Sequence, residues 1–147
     1  MAELFTLGYE GAAWARFLAT LRDAGVQRVI DVRQLPLSRH PGFSKRPLEA
    51  GLAEAGIGYV HLRALGTPPE GREANRRRDW DRFWSIVEES LSTTEAALAL
   101  EQAAEFARAE PCCLLCLEAD PCICHRRRVG EMMAARHGFH VRHLRIG

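Results

Sequence analysis

The stretch QRVIDVR, residues 27–33, decides the fold. Val29, Ile30 and Val32 make it almost continuously apolar, whereas a strand with one face in water alternates apolar and polar residues. The pattern therefore predicts a strand that is covered on both faces, as in the parallel sheets of α/β proteins. Such a sheet needs helices on both sides, and the flanking sequence contains helical patterns.

Four further segments have the composition of strands. They are ELFTLG (3–8), IGYVHL (57–62), CCLLCL (112–117) and FHVRHLRI (139–146). In the last one, Phe139 and Val141 follow one alternation and Leu144 and Ile146 the other, which indicates an edge strand with a bulge or slip. Strands that alternate with helices form a mostly parallel sheet through right-handed crossovers. We therefore predict one α/β domain over residues 1–147, a three-layer sandwich of about five strands with helices on both faces.

Apolar residues recur at helical spacing between most of these strands. The predicted helices carry Trp14 to Leu21, Leu48 to Leu52 with Ser44 as N-cap, Trp80 to Leu91, residues 95–109 and residues 126–137. RALGTPPEGREANRRRD, residues 63–79, is polar and irregular instead. A loop of this length is typical of a lid or binding loop, or of disorder.

Charge and cysteine content exclude some classes of function. The 20 Lys and Arg residues almost cancel the 19 Asp and Glu residues, so any binding of anions must be local. No apolar run approaches the roughly 20 residues of a membrane span, and MAELFTLGYEG lacks the basic region and long apolar core of a signal peptide. We therefore expect a cytoplasmic protein without a membrane segment. Five cysteines, four of them within residues 113–124, do not suggest a disulfide framework.

Polar residues cluster where the predicted strands end. Ligands of open α/β sheets bind outside the carboxyl ends of the strands, so polar residues at these exits are candidates for a site. Such residues follow all four of the first strands, and we expect them to face one crevice: Tyr9, Glu10, Asp31, Arg33, His61, Arg63, Cys116 and Glu118.

The segment LCLEADPCICHRRRVGEMM, residues 115–133, allows four interpretations. A metal site would draw on four soft ligands within ten residues, Cys116, Cys122, Cys124 and His125. The one C-x-x-C pair, Cys113 and Cys116, faces opposite sides of a strand and cannot share a metal, so we expect no bound zinc. A reactive thiol is the second interpretation, with Cys124 better placed than Cys116 because it lies at a helix start beside His125.

The other two interpretations involve the start of the same helix. Free backbone amides and Arg126 would form an anion site there, with Arg127 and Arg128 solvated. Alternatively, Asp120 or Glu118 caps the helix and pairs with the arginines in a purely structural role.

Four segments resemble the domain-of-unknown-function family 488. They are TLGYEG, DVRQLPLSRHPGFSK, GIGYVHLRALGTP and CLEADPCICHR, and the resemblance spans roughly residues 4–144. It implies one α/β domain with its characteristic residues around the motif loops: Gly8, Tyr9, Asp31, Arg33, Pro36, Ser38, Phe43, His61, Gly66, Cys116, Glu118, Cys124, His125 and Arg126. Cys122, Arg127 and Arg128 depart from the family's pattern. Many members carry Gly-His-Ser in the first turn, so Tyr9 and Glu10 mark a variant.

These observations indicate a small enzyme, or an enzyme-like binder, of a phosphate-bearing ligand such as a nucleotide or nucleic acid. The candidate catalytic residues are His61, Glu118, Asp31, Cys124 and His125, with His61 and Glu118 as general acid and base. The candidate ligand-binding residues are Tyr9, Arg33, Ser38, Arg39 and Arg126. A non-catalytic binding or interaction module and a thiol- or metal-dependent protein remain alternatives. The motifs specify neither a cofactor nor an oligomeric state.

Overall fold

The computed structural model describes residues 2–146. Within this range the sheet has five strands, all parallel, in the order β3-β2-β4-β1-β5. The strands are β1 (Glu3–Gly8), β2 (Arg28–Asp31), β3 (Gly58–His61), β4 (Cys112–Cys116) and β5 (His140–His143). The predicted α/β sandwich is confirmed, and β2 and β4 occupy the interior of the sheet as continuous apolar strands should.

Six α-helices connect these strands in the described part of the chain. They are α1 (Trp14–Asp23), α2 (Lys45–Glu54), α3 (Pro69–Arg76), α4 (Trp80–Leu91), α5 (Thr94–Ala109) and α6 (His125–His137). Between residues 2 and 146, none of the helices has the length and apolarity needed to cross a bilayer.

Helix α3 corrects the prediction that residues 63–79 are irregular. It begins at Pro69, with Glu70 in its first turn, and both are favourable at a helix start. Its buried residues are Gly71 and Ala74, so large apolar side chains do not mark its inner face. The helix therefore has no apolar period that the sequence could reveal. A 3₁₀ turn, Arg63–Leu65, precedes it.

Two apolar cores cover the two faces of the sheet. One contains Phe17 and Leu21 of α1 together with the α2 leucines, and the other contains residues of α4, α5 and α6. Strand β4 alternates between them, so that Cys113 belongs to the first core and Cys116 to the second. The predicted separation of these two cysteines is therefore confirmed.

Strand β5 lies at the edge of the sheet, as predicted, but without the expected bulge or slip. Its register with β1 is regular over residues 140–143. Phe139 and Val141 pack against the core of α4–α6, whereas Leu144 and Ile146 pack against the opposite core. The two phases of apolar residues arise because the edge strand contacts both cores.

The connections between strands leave the sheet on opposite faces. Helices α1 and α2, which follow β1 and β2, cover one face, whereas α6, which follows β4, covers the other. Because β4 lies between β1 and β2, the chains that leave these three strands diverge and open a crevice at their carboxyl ends.

The loop after β4 packs directly on the last residue of β1. A Cβ atom at Gly8 would lie 1.7 Å from the carbonyl oxygen of Glu118, which belongs to the backbone of that loop. We predict that Gly8→Ala lowers the free energy of unfolding by about 3 kcal/mol, because the backbone at residues 118–119 must move. Chemical denaturation measures the change.

Gly58→Ala provides the matched control in another strand. A Cβ there would meet the guanidinium of Arg28, at the end of a flexible side chain, so we expect a loss below about 1 kcal/mol. Similar losses in the two variants would contradict the close packing of the loop on Gly8.

Candidate functional site

A buried ion pair fixes the end of β2. The Asp31 carboxylate accepts hydrogen bonds from Arg33 Nε at 2.9 Å and Nη2 at 2.7 Å, and also from the Arg33 backbone amide. Asp31 is fully buried and Arg33 is 5% exposed. The Tyr59 hydroxyl donates to the second carboxylate oxygen at 2.6 Å. Burial alone would lower the pKa of Arg33, but the Asp31 carboxylate raises it above its ordinary value.

The same guanidinium connects β2 with two neighbouring segments. Arg33 Nη1 donates to the Tyr9 hydroxyl at 3.0 Å and to the Phe43 carbonyl at 2.7 Å. The Tyr9 and Phe43 rings stack with centroids 4.5 Å apart. Both residues predicted to bind ligand at these exits, Tyr9 and Arg33, are therefore also held by contacts within the protein.

A cavity of about 350 Å³ opens above these residues, at the carboxyl ends of β1, β2 and β4. We call it the exit pocket. Strand exits and the loop after β4 contribute Tyr9, Glu10, Arg33, Cys116, Leu117, Glu118, Ile123 and His125. The loop after β2 and the segment from Thr67 to α4 contribute Gln34, Leu35, Leu37, Thr67, Arg72, Asn75, Arg76 and Phe83.

A cluster of sulfur, imidazole and carboxyl groups lies at the floor of the exit pocket. The Cys116 sulfur lies 3.6 Å from Glu118 Oε2 and 3.6 Å from His125 Nδ1. The sulfur of Cys124, which is fully buried, lies within 4.8 Å of both the Cys116 sulfur and a ring nitrogen of His125. We call Cys116, Glu118, Cys124 and His125 the floor cluster.

The floor cluster shifts the pKa values of its own members. A hydrogen bond with Cys124, together with burial, raises the pKa of Cys116 well above its ordinary value. Burial and the nearby Cys124 raise the pKa of Glu118 to about 8. For Cys124, burial acts to raise the pKa, but hydrogen bonds with Cys116 and His125 bring it well below the ordinary value. For His125, burial acts to lower the pKa, but the contact with Cys124 raises it. Of the two thiols, these shifts favour ionisation of Cys124 over Cys116.

Two histidines bind consecutive carbonyls after β2. His125 Nε2 donates to the Val32 carbonyl and His61 Nε2 to the Arg33 carbonyl, each at 2.7 Å. Because a carbonyl can only accept, both Nε2 atoms carry hydrogen. His125 lines the exit pocket, whereas His61 faces a separate depression beside α5. The structure thus brings Arg33, Glu118 and His125 together, with His61 outside the pocket.

Arg126 does not line the exit pocket, contrary to expectation. It is fully buried and donates to the Glu118 carbonyl at 2.5 Å, to the Ala119 carbonyl at 3.2 Å and to Thr6 Oγ1 at 3.2 Å. Its guanidinium holds the loop after β4 against β1. The sequence placed it at the crevice because it starts a helix, but a buried arginine surrounded by backbone carbonyls already has its hydrogen-bond partners.

Ser38 and Arg39 lie in the loop between β2 and α2, outside the lining of the exit pocket. Ser38 is bound within that loop, where its backbone exchanges hydrogen bonds with Ser44 Oγ and its hydroxyl accepts from the His40 amide. Arg39 is exposed.

The predicted cap of α6 by Asp120 or Glu118 is not observed. Asp120 accepts a hydrogen bond from the Cys122 amide and caps the 3₁₀ turn Pro121–Ile123 instead. Cys124 is the N-cap residue of α6, and its side chain makes no capping hydrogen bond.

Sequence reasoning missed a polar wall of the exit pocket on and before α3, formed by Thr67, Arg72, Asn75 and Arg76. Arg72 Nη1 donates to Gln34 Oε1 at 2.7 Å and to the Thr67 carbonyl at 2.9 Å. Asn75 Nδ2 donates to the Ile123 carbonyl at 2.7 Å, which joins α3 to the loop after β4. The sequence feature that could have indicated these residues is the arginine-rich segment 63–79, which was interpreted as a lid or binding loop. Its position over the crevice agrees with that interpretation.

A family model described as Domain of unknown function DUF488 matches residues 13–133. The chain belongs to the DUF488 family. The match runs from the residue before α1 into α6 and includes all four members of the floor cluster. A comparison with curated proteins and one with solved structures each gave no match. Membership in DUF488 assigns no chemistry, so the chemistry must come from the geometry.

The Asp31–Arg33 pair generates a prediction about stability. Asp31→Asn leaves the buried Arg33 charge without its counter-ion, so we expect a loss of about 3–5 kcal/mol in the free energy of unfolding. Glu110→Gln is the control, because the Arg28–Glu110 pair is about one quarter exposed. The control should lose less than about 1 kcal/mol. Equal losses by chemical denaturation would mean that the buried pair has no special structural role.

A second prediction separates two adjacent arginines of α6. Arg126→Met deprives three oxygen acceptors of their donor, and we expect it to cost about 2–4 kcal/mol of unfolding free energy. Arg127→Met is the control, because Arg127 is partly exposed and lies over the Trp84 ring at 4.7 Å. It should cost about 1 kcal/mol or less. Thermal and chemical denaturation of both variants decide the matter, and equal stabilities would contradict the bracing role of Arg126.

Proposed function

We propose that the exit pocket binds a phosphate-bearing small molecule with an apolar ring, of the nucleotide class. The observation that carries this proposal is that one cavity combines arginines with exposed leucines. Arg72 and Arg76 lie on its α3 wall, and Leu35, Leu37 and Leu117 form part of its rim. A cation and an apolar surface in the same cavity are complementary to a phosphate and a base.

The exposure of the leucines supports a ligand. Leu35 is 51% exposed, Leu37 67% and Leu117 42%, and all three line the exit pocket. Large apolar side chains that gather at one site in contact with water favour an interaction there. The cavity volume of about 350 Å³ lies in the range of small-molecule pockets. With a net charge of +1, the chain has no general attraction for nucleic acid, which favours the nucleotide over an oligonucleotide.

A buried hydroxyl in the same pocket also supports a ligand. Thr67 is 5% exposed, and among residues 2–146 its Oγ1 finds no hydrogen-bond partner. A buried polar atom without a partner is unfavourable and rare in native proteins. Arg72 can contribute further donors, because its two internal hydrogen bonds both use Nη1 and a guanidinium carries five N–H groups.

Glu118 is the candidate acid–base group for such a ligand. It is a half-buried carboxyl at the floor of the pocket, beside the Cys116 sulfur. His61, the other predicted general acid–base residue, faces away from the cavity and is not part of this proposal. Turnover of a bound nucleotide would distinguish an enzyme from a non-catalytic binder.

Calorimetric titration tests the proposal with inorganic phosphate, nucleoside mono-, di- and triphosphates and short oligonucleotides. We expect Arg72→Ala to weaken nucleotide binding by about 1.5–3 kcal/mol, or roughly 10- to 150-fold in Kd. Arg77→Ala, on an exposed residue that pairs with Glu73 just after α3, should cost less than about 1 kcal/mol. Added salt should weaken binding by the wild type.

Thr67→Val is a second variant, and it should change nucleotide affinity without lowering stability. It removes a hydroxyl that makes no described protein contact, so the free energy of unfolding should not fall, whereas nucleotide affinity should drop by about 0.5–1.5 kcal/mol. Equal losses from Arg72→Ala and Arg77→Ala would indicate diffuse surface charge. No binding by the wild type would contradict the proposed function.

A further inference from the structure

We propose that Cys116, Cys124 and His125 bind a zinc ion at the floor of the exit pocket, with the fourth coordination position directed toward Glu118. This inference goes beyond the proposed binding of a nucleotide and does not depend on it. It also replaces the sequence-based expectation of no bound zinc, which rested on the spacing of the cysteines and could not show how close Cys116 lies to the start of α6.

The ligand atoms have the spacing that zinc requires. A tetrahedral zinc with bonds of about 2.3 Å to sulfur and about 2.0–2.1 Å to nitrogen separates those two ligand atoms by about 3.6 Å. The Cys116 sulfur lies 3.6 Å from His125 Nδ1. The Cys124 sulfur completes a group in which every ligand atom lies within 4.8 Å of the others.

The tautomer of His125 supports the same conclusion. Its Nε2–H is bound to the Val32 carbonyl at 2.7 Å, so in the neutral ring Nδ1 carries a lone pair directed at the two sulfurs. Histidines that bind metals commonly donate their other ring N–H to a carbonyl, which fixes the ring and the tautomer. The backbone of β2 thus presents Nδ1 to the cysteines in the orientation that a metal ligand needs.

The chain path makes this arrangement rigid. Cys116 ends β4, and Cys124 precedes α6 after the 3₁₀ turn Pro121–Ile123. Cys124 is fully buried, His125 is 4% exposed and Cys116 is 6% exposed. Arg126 holds the intervening loop through the Glu118 and Ala119 carbonyls. Ligands held on rigid, buried elements favour binding, because little conformational entropy is lost when the ion enters.

The choice of zinc and the open position follow from the ligand types. Two thiolates and an imidazole suit zinc, and iron–sulfur clusters usually take four cysteines.

Cys116 and His125 line the exit pocket, which gives an ion a route to the site. Three protein ligands with a fourth position open to a cavity are typical of a catalytic zinc. Glu118 Oε2, 3.6 Å from the Cys116 sulfur, is placed beside that position. Binding releases the thiol protons, so that Zn²⁺ and two thiolates form a neutral centre.

The experiment uses the full chain, purified under reducing conditions without chelators. Elemental analysis should find about one zinc per chain in the wild type and below about one tenth in Cys124→Ser. Cys122→Ser is the matched control, because Cys122 is exposed and lies two residues from Cys124, and it should keep its zinc.

Cobalt(II) provides the second measurement, on chelator-treated wild type, and does not depend on the folding of a variant. We expect thiolate-to-cobalt absorption in the near ultraviolet together with the intense visible bands of four-coordinate cobalt, both removed by one equivalent of zinc. A wild type that contains no zinc and gives no such cobalt spectrum overturns the proposal. Loss of zinc in Cys122→Ser to the same extent as in Cys124→Ser overturns it as well.

Discussion

The buried carboxylate of Asp31 is the contact on which the arrangement of the strand exits depends. It accepts from two nitrogens of the Arg33 side chain, from the Arg33 amide and from the Tyr59 hydroxyl. A buried pair is stable only when its remaining donors and acceptors are also satisfied. Arg33 meets this condition by donating to Tyr9 and to the Phe43 carbonyl. The pair therefore ties β1, β2, β3 and the loop before α2 together at one edge of the sheet.

The described arginines near the strand ends differ in burial. Arg33 and Arg126 are buried, and their donors are engaged by protein oxygens, so each acts as a brace for a loop. Arg128 pairs with Glu88 and Glu131 on the outer surface of α6. The arginines that remain at the cavity, Arg72 and Arg76, come from the one wall that the sequence did not predict as a helix. The cavity arginines outside the motif loops thus lie on a different segment from the buried arginines that fix the crevice.

Much of the fold could be predicted from sequence because its strands are short, apolar and regularly spaced. The uninterrupted apolar pattern of β2 indicated helices on both faces of the sheet. Successive residues of β4 lie in opposite cores, as the two-residue period of a strand requires. Helix α3 was missed because Gly71 and Ala74 let it pack closely without large apolar residues. His61 binds the Arg33 carbonyl but lines a separate depression, because β3 is an edge strand and its end lies beside α5.

The candidate site depended on contacts that sequence spacing does not encode. Strand geometry correctly separated Cys113 from Cys116, but the 3₁₀ turn Pro121–Ile123 returns the chain and brings Cys124 and His125 to Cys116. The charges nearby then decide what this cluster can hold. The Arg126 charge opposes a bare cation, but two ionised sulfurs cancel Zn²⁺, and the carbonyls of Glu118 and Ala119 direct their negative ends at the guanidinium. A neutral zinc centre beside a braced arginine is therefore electrostatically consistent, whereas a hard cation held by Glu118 alone would lack compensating oxygen ligands.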